Sequence, residues 1–336
     1  MAISTLGDMR QHFLTARHNT FLKTELNTLV QELTSGEVAD VTSHLGPDQT
    51  HLSAVDRQLE ILQRFSQANS ESAQLLSRMQ TALSGIDDHR AMASSALLTI
   101  DDASSQSQVK DAAAIALSSF SASIKTLNMR SAERAMFGGN NISANPLADA
   151  DQIMDALRIE LSGLTDANSI SDAIEDWFDT TGGGFETVGY LGDASGFITR
   201  AVEEGQTLEI GIRADDPAIR DTLKSFAKAA LAGDPTLTLD LSARKDLQMQ
   251  SGVDLLTEAA SLASLQGRLG YAEGQVEQAA ARTSAQMSSF GIMRNDLVSS
   301  DPFETATRLQ SVQLQLETHY TLTARLSRLS LTEYLR

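Results

Sequence analysis

Apolar residues recur at three- and four-residue intervals at both extremities of this 336-residue chain. Leu22, Leu26, Leu29 and Leu33 lie near the start, and Leu309, Val312, Leu316, Leu326 and Leu329 near the end. That spacing aligns the side chains into one narrow seam along a helix. Terminal segments fray unless something ties them down, and a lone helix cannot bury such a seam. The two arms must therefore close on each other, on neighbouring copies of the chain, or on both. The final stretch, "LSRLSLTEYLR", crowds Leu326, Leu329, Leu331, Tyr334 and Leu335 into eleven residues and repeats the demand. Stripes of this kind also build ordinary intramolecular bundles. Their position at both termini is what favours assembly.

Proline stands only at positions 47, 146, 217, 235 and 302, which leaves 48–145 and 236–301 free for long helices. A first helix is expected from Ser4 or Thr5 to about Leu33, broken by "TSGEVADVTSHLGPDQT". A second, from about Leu52 to Ile100, would be about 70 Å long at 1.5 Å per residue. Leu52, Val55, Leu59, Leu62, Ala73, Leu76, Leu83 and Ile86 would form its seam, interrupted by Ser66, Asn69 and Gln80. "DDASSQ" reads as a turn and helix cap, and a third helix as running to about Phe137 before "GGNNISANP" ends it. Composition then shifts: residues 182–211 hold eight of the 21 glycines, and 177–226 hold six of the sixteen aromatics. That marks an inserted domain at 146–240, with helices near 149–162 and 169–178, half-buried strands at 197–202 and 207–212, and a helix from Asp216-Pro217 to about Gly233. A long helix returns over Leu247–Leu297, with Leu255, Leu262, Leu265, Leu269 and Val276 inward. Asp301 then caps a last helix that has Pro302 in its first position.

The predicted fold is therefore mainly α: a long antiparallel coiled-coil bundle of amino- and carboxy-terminal arms, carrying a small α+β insert. Three regions are expected: 1–45 with 300–336 as the terminal assembly region, 46–145 with 241–299 as a helical bundle, and 146–240 as the acidic insert.

The net charge of −18 is concentrated in the insert, where residues 141–240 hold 19 Asp and Glu against six Lys and Arg. Phosphate-rich partners would be repelled there, so nucleic acid is not expected; the acidity reads as a solvated surface. The absence of cysteine excludes disulfides, thiolate metal sites and cysteine nucleophiles. No apolar run reaches bilayer length, so no membrane partner is expected. The opening "MAISTLGDMRQHFLTARHNT" lacks the basic and apolar blocks of a signal peptide. Phosphate-loop, dinucleotide, zincin and nucleophile-elbow motifs are missing. The run Gly182-Gly183-Gly184 reads as a flexible loop before a strand, not a phosphate cradle. Among six histidines none forms an i, i+4 pair; His44, Asp48 and His51 come nearest to a ligand set, and solvated loop histidines account for them better. Acid pairs such as Asp87/Asp88, Asp101/Asp102 and Asp215/Asp216 fit helix-start and turn chemistry. No catalytic residue, cofactor or metal site is expected.

Three stretches carry a family resemblance. "ISTLGDMRQ…LNTLVQELTSG" is similar to the amino-terminal helix of the flagellin family, ending in its Leu-x-Ser/Thr-Gly turn. "MFGGN" at 136–140 looks like the Phe-Gly-Gly turn after the third helix of the family's hook–filament junction members. The stretch "RLGYAEGQVEQ…LTEYLR" resembles the family's carboxy-terminal region over its whole length. The chain thus resembles the flagellin family, closest to its junction members. The Ser-Gly turn here continues as "SGEVADVTSHLGPDQT", without the Arg-Ile and Asp-Asp-Ala-Ala-Gly elements of bulk filament subunits.

The resemblance implies a structural part of the bacterial flagellum, self-assembling in a ring or helical layer between a hook-associated protein and flagellin. It implies export through the flagellar secretion channel, with an export chaperone holding the carboxy-terminal segment. Residues 1–35 and 303–336 would order fully only on assembly. A filament-forming flagellin, a cytoplasmic coiled-coil adaptor, and an enzyme with a site hidden in 146–240 are the alternatives.

Overall fold

The computed structural model describes residues 2–334, with the side chains of 9, 10 and 12–325. It is mainly helical, and proline enters its α-helices only as the first residue of α7 and of α9. These helices are α1 (Ala2–Ser35), α2 (Val41–Leu45), α3 (Gln49–Leu97), α4 (Gln106–Leu127), α5 (Ala150–Glu160), α6 (Ala167–Asp179), α7 (Pro217–Ala232), α8 (Leu241–Val298) and α9 (Pro302–Tyr334). Two antiparallel hairpins complete it: β1 (Arg130–Ser131) with β2 (Arg134–Ala135), and β3 (Ile198–Glu203) with β4 (Gln206–Ile210). The chain divides into two compact units, residues 1–63 with 284–336 and residues 64–283.

The second unit contains the main core. Buried side chains run without a break from Leu76, Met79, Leu83 and Ile86 of α3 through Phe120 of α4, Phe178 of α6 and Phe226 of α7 to Leu255, Leu262 and Leu269 of α8. Residues 146–240 lie wholly within the second unit. The apolar faces of 146–240 are buried in the same core as α4 and α8. Polar side chains also tie these helices together through backbone carbonyls. Ser94 Oγ donates to Gly252 O at 2.8 Å, Arg90 to Leu255 O at 2.9 Å, and Gln248 to Val109 O at 2.7 Å.

Local chemistry explains the helix ends. Ser105 begins α4 with a reciprocal capping box to Gln108. Asp301 Oδ1 accepts the Phe303 and Glu304 amides at the start of α9. Asp216 Oδ1 accepts from Ala218 N ahead of Pro217, the first residue of α7.

Three expectations are corrected. The third helix stops at Leu127, ten residues before Phe137: Asn128 caps it, holding Leu147 through both amide atoms at 2.9 Å, and the β1–β2 hairpin follows. The seam of α3 does not follow hydropathy alone. Asn69 is buried and Ala73 is exposed, because Asn69 Nδ2 donates to Val202 O of β3 at 3.1 Å. The glycine run precedes a π-helical turn (Phe185–Gly189), not a strand, and it is packed. A Cβ on Gly184 would overlap the Trp177 indole, beside the T-shaped and stacked contacts that join Trp177, Phe178 and Phe185.

The Phe-Gly-Gly turn is built as a close approach. Gly139 has φ +62°, and a Cβ there would lie 2.5 Å from Asp193 O and 2.6 Å from Gly196 O. Phe137 is fully buried, and its carbonyl accepts from Ala214 N at 2.9 Å.

Candidate assembly surface

In the first unit the amino- and carboxy-terminal helices form an antiparallel pair. Leu22, Leu29 and Val312 are buried together, with Leu26, Leu309 and Leu316 partly buried against them. The seams predicted in α1 and α9 are thereby brought face to face. Leu33 lies outside this cluster, at 42% exposure. Leu326 and Leu329 lie outside the residues whose side chains are described, as do Leu331, Tyr334 and Leu335.

Polar contacts set the register of the pair. Where α1 ends and α9 is about to begin, Glu37 and Ser299 make an antiparallel bridge, flanked by Val38 N to Val298 O and Ser300 N to Gly36 O, both 2.9 Å. Gly36, at φ +74°, supplies the left-handed turn that lets the chain leave α1 there. Arg294 donates to Glu37 and to Asp56, each at 3.0 Å. These partners hold its guanidinium above the ordinary arginine range, the Glu37 hydrogen bond foremost. Further along the pair, Lys23 lies over the Tyr320 ring at 5.9 Å, and the rings of His18 and His319 meet at 5.4 Å. Spacing within one helix could not reveal that histidine contact, because its members stand at opposite ends of the sequence.

The pair leaves a second apolar surface uncovered. On α1, Met9, Phe13, Leu14 and Phe21 are exposed; on α9, Phe303 is 83% exposed, Leu314 66% and Leu322 53%. A helix apolar on more than one side belongs between neighbours on more than one side. One threonine row on α1 is internally satisfied: Thr20, Thr24 and Thr28 each donate to the carbonyl four residues earlier at 3.0 Å.

The second unit offers one polar recess bearing on an enzymatic alternative, a space of about 350 Å³ beside α7 and α8. Its charges are taken up by one another: Lys228 with Asp254 at 2.6 Å, and Lys224 with Asp179 at 2.6 Å and Asp221 at 3.0 Å. Ser225 Oγ donates to Glu258 Oε1 at 2.7 Å, while Glu258 Oε2 is buried without a partner. Burial, the largest cause, pushes this carboxyl up to about 7. No group of three or more metal-ligating side chains occurs among the described residues. No helix among the described residues is long and apolar enough to cross a membrane.

Comparison with known proteins fits this arrangement. Residues 253–335 match the family model of the bacterial flagellin C-terminal helical region. A solved structure of a Vibrio parahaemolyticus protein assigned as flagellar hook-associated shares the fold, with a TM-score of 0.51 over 76% of this chain and 99% of that one at 11% identity. No curated protein sequence matches the chain. Residues 253–335 are thus similar to the helical carboxy-terminal region of flagellins, and the fold is like that of the hook-associated protein structure.

Proposed function

We propose that this chain is the junction subunit of the flagellum, seated between a hook-side hook-associated protein and the flagellin filament. The observation that carries the reading is the uncovered apolar side of the α1–α9 pair, which includes Phe13, Phe21, Phe303 and Leu314. It lies in the arm that includes most of the flagellin-matched segment. One face of the pair is closed by Leu22, Leu29 and Val312. The other awaits neighbours, and copies of the chain packed side by side in a ring or helical layer would cover it. The insert region, 146–240, would face outward, and its acidity would discourage lateral aggregation. The role is structural, not enzymatic.

Export would follow the flagellar secretion route, with a chaperone groove holding the apolar side of the carboxy-terminal segment until assembly. The missing Arg-Ile and Asp-Asp-Ala-Ala-Gly elements after Gly36 favour the junction over the bulk filament. Immunolabelling of detached flagella tests this: a single band at the distal boundary of the hook is expected. Labelling along the whole filament would make the chain a filament subunit, and labelling confined to the cytoplasm would defeat the flagellar role.

A further inference from the structure

A groove of about 620 Å³ on the second unit is lined by three arginines, Arg78 of α3, Arg134 of β2 and Arg200 of β3, against one carboxylate, Glu71 of α3, which accepts from Gln67 at 3.1 Å. Arg200 stands on the inward side of its strand. Ile198 and Val202, its neighbours on that side, are buried, so strand alternation calls for an apolar residue there. Its Nε is buried without a hydrogen-bond partner, a condition that costs free energy until an acceptor is supplied. Arg78 reaches only the Ser131 hydroxyl, at 3.3 Å. Among the described residues neither Arg134 nor Arg200 has a carboxylate partner, whereas Lys228, Arg213 and Arg282 each do. In a chain with 44 acidic and 26 basic residues, a groove of unpaired arginines runs against the overall balance. Copies of such a chain repel one another unless cation meets carboxylate across the contact.

The complementary surface is on α6. Asp172 and Asp176 are exposed, stand one turn apart on one side of the helix, and have no ion partner among the described residues; Asp176 accepts only from the Thr180 hydroxyl, at 3.5 Å. Their neighbours are engaged: Asp179 by Arg220 and Lys224, Glu175 by Ser171. Like charges at i, i+4 disfavour a helix, so this pair too lacks its counterpart within the chain.

We propose that the Arg78–Arg134–Arg200 groove receives the Asp172–Asp176 side of α6 from a second copy of the chain. The guanidinium fork suits paired carboxylate oxygens. Because the two patches differ, the contact is head-to-tail. It generates a ring or a helical layer, not a closed dimer. The inference rests on the assembly reading above but concerns the second unit, not the terminal arms.

The test is charge reversal in flagella of the source cells, scored by the amount of chain retained at the labelled site. Arg134→Glu with Arg200→Glu should lower incorporation about tenfold, and Asp172→Lys with Asp176→Lys should do the same. The chain carrying all four substitutions should recover most of the loss. The purified variants should melt within a few degrees of the parent; if the reversed arginine pair does not, Arg134→Gln with Arg200→Gln should still reduce incorporation. Parental incorporation by either reversed pair, or a fourfold variant no better than its parts, would overturn the groove contact. Absence of the parent chain from flagella would instead overturn the assembly reading itself, so the two failures are told apart.

Discussion

Glu258 is the residue whose chemistry is furthest from its solution behaviour. It is buried on α8, accepts one hydrogen bond from Ser225, and has its second oxygen unpartnered. Facing it are Asp221, Lys224 and Lys228 of α7, Glu175 of α6, and Asp254 on its own helix. Burial raises its pKa from 4.5 to about 7, with the nearby Asp221 and Asp254 adding to the rise. The fold therefore prefers the protonated acid. Between these two values the native state binds more protons than the unfolded chain, so stability falls as pH rises through the window and levels off above it. The change is on the order of 3 kcal/mol at about 1.4 kcal/mol per unit. Glu258→Gln keeps an acceptor for Ser225 without the charge. Urea unfolding of the variant should show greater stability than the parent at pH 8 and a flatter profile between pH 5 and 7. A parent profile that rises across that window would contradict the assignment. Asn69 makes a related point about burial. Sequence marked it as a break in the α3 seam because an amide is costly in an apolar interior. Its partner is a backbone carbonyl of β3, 133 residues away, which no periodicity could announce.

Long helices, the caps in "DDASSQ", Asp216-Pro217 and Asp301-Pro302, and the two strands of the β3–β4 hairpin were legible, since proline spacing, caps and alternation are local signals read within a few residues. The β1–β2 hairpin was not. Its two turn residues are Ala132 and Glu133, at φ +48° and +62°, where asparagine and glycine are the usual occupants. Helix-favouring residues in that turn made "TLNMRSAERAMF" read as helix. What overrides them is tertiary: Asn128 holds Leu147 at both amide atoms, and Arg130 grips backbone carbonyls, donating to Glu133 O at 2.9 Å and Ser143 O at 3.0 Å. Left-handed backbone in a residue with a side chain costs about 1–2 kcal/mol. Ala132→Asn with Glu133→Gly should recover about 1 kcal/mol of that, raising the melting temperature of the second unit by about 2–4 °C in calorimetry. No gain, or a loss, would mean that the turn is not strained. The start of α4 carries the opposite expectation. Ser105→Ala removes the capping box to Gln108 and should cost about 1 kcal/mol in chemical denaturation. An unchanged midpoint would mean the cap contributes nothing.

For the molecule as a whole, the decisive asymmetry lies between the two sides of the terminal helix pair. The seam residues were legible because leucine at helical spacing is a strong local pattern; the outward aromatics were not. Phe13, Phe21 and Phe303 follow no single register, and only the packed pair shows which side of each helix stays uncovered. Fully burying a side chain of this size contributes about 1.5–3 kcal/mol, so covering Phe13, Phe21, Phe303 and Leu314 would contribute about 10 kcal/mol before the cost of association. That gain appears only when neighbours arrive, whereas loss of an inward leucine is felt in the isolated chain. Phe13→Ser with Phe303→Ser should therefore leave the melting temperature of the purified chain unchanged and reduce its incorporation into flagella severely. Leu29→Ala, at a buried position, should cost about 2–5 kcal/mol in the purified chain, because a cavity is added to the lost transfer free energy. Circular dichroism melts set beside immunolabelling of detached flagella separate the two effects. If the outward pair lowers stability as much as Leu29→Ala does, or is incorporated at the parental amount, the uncovered side is not where neighbouring subunits meet.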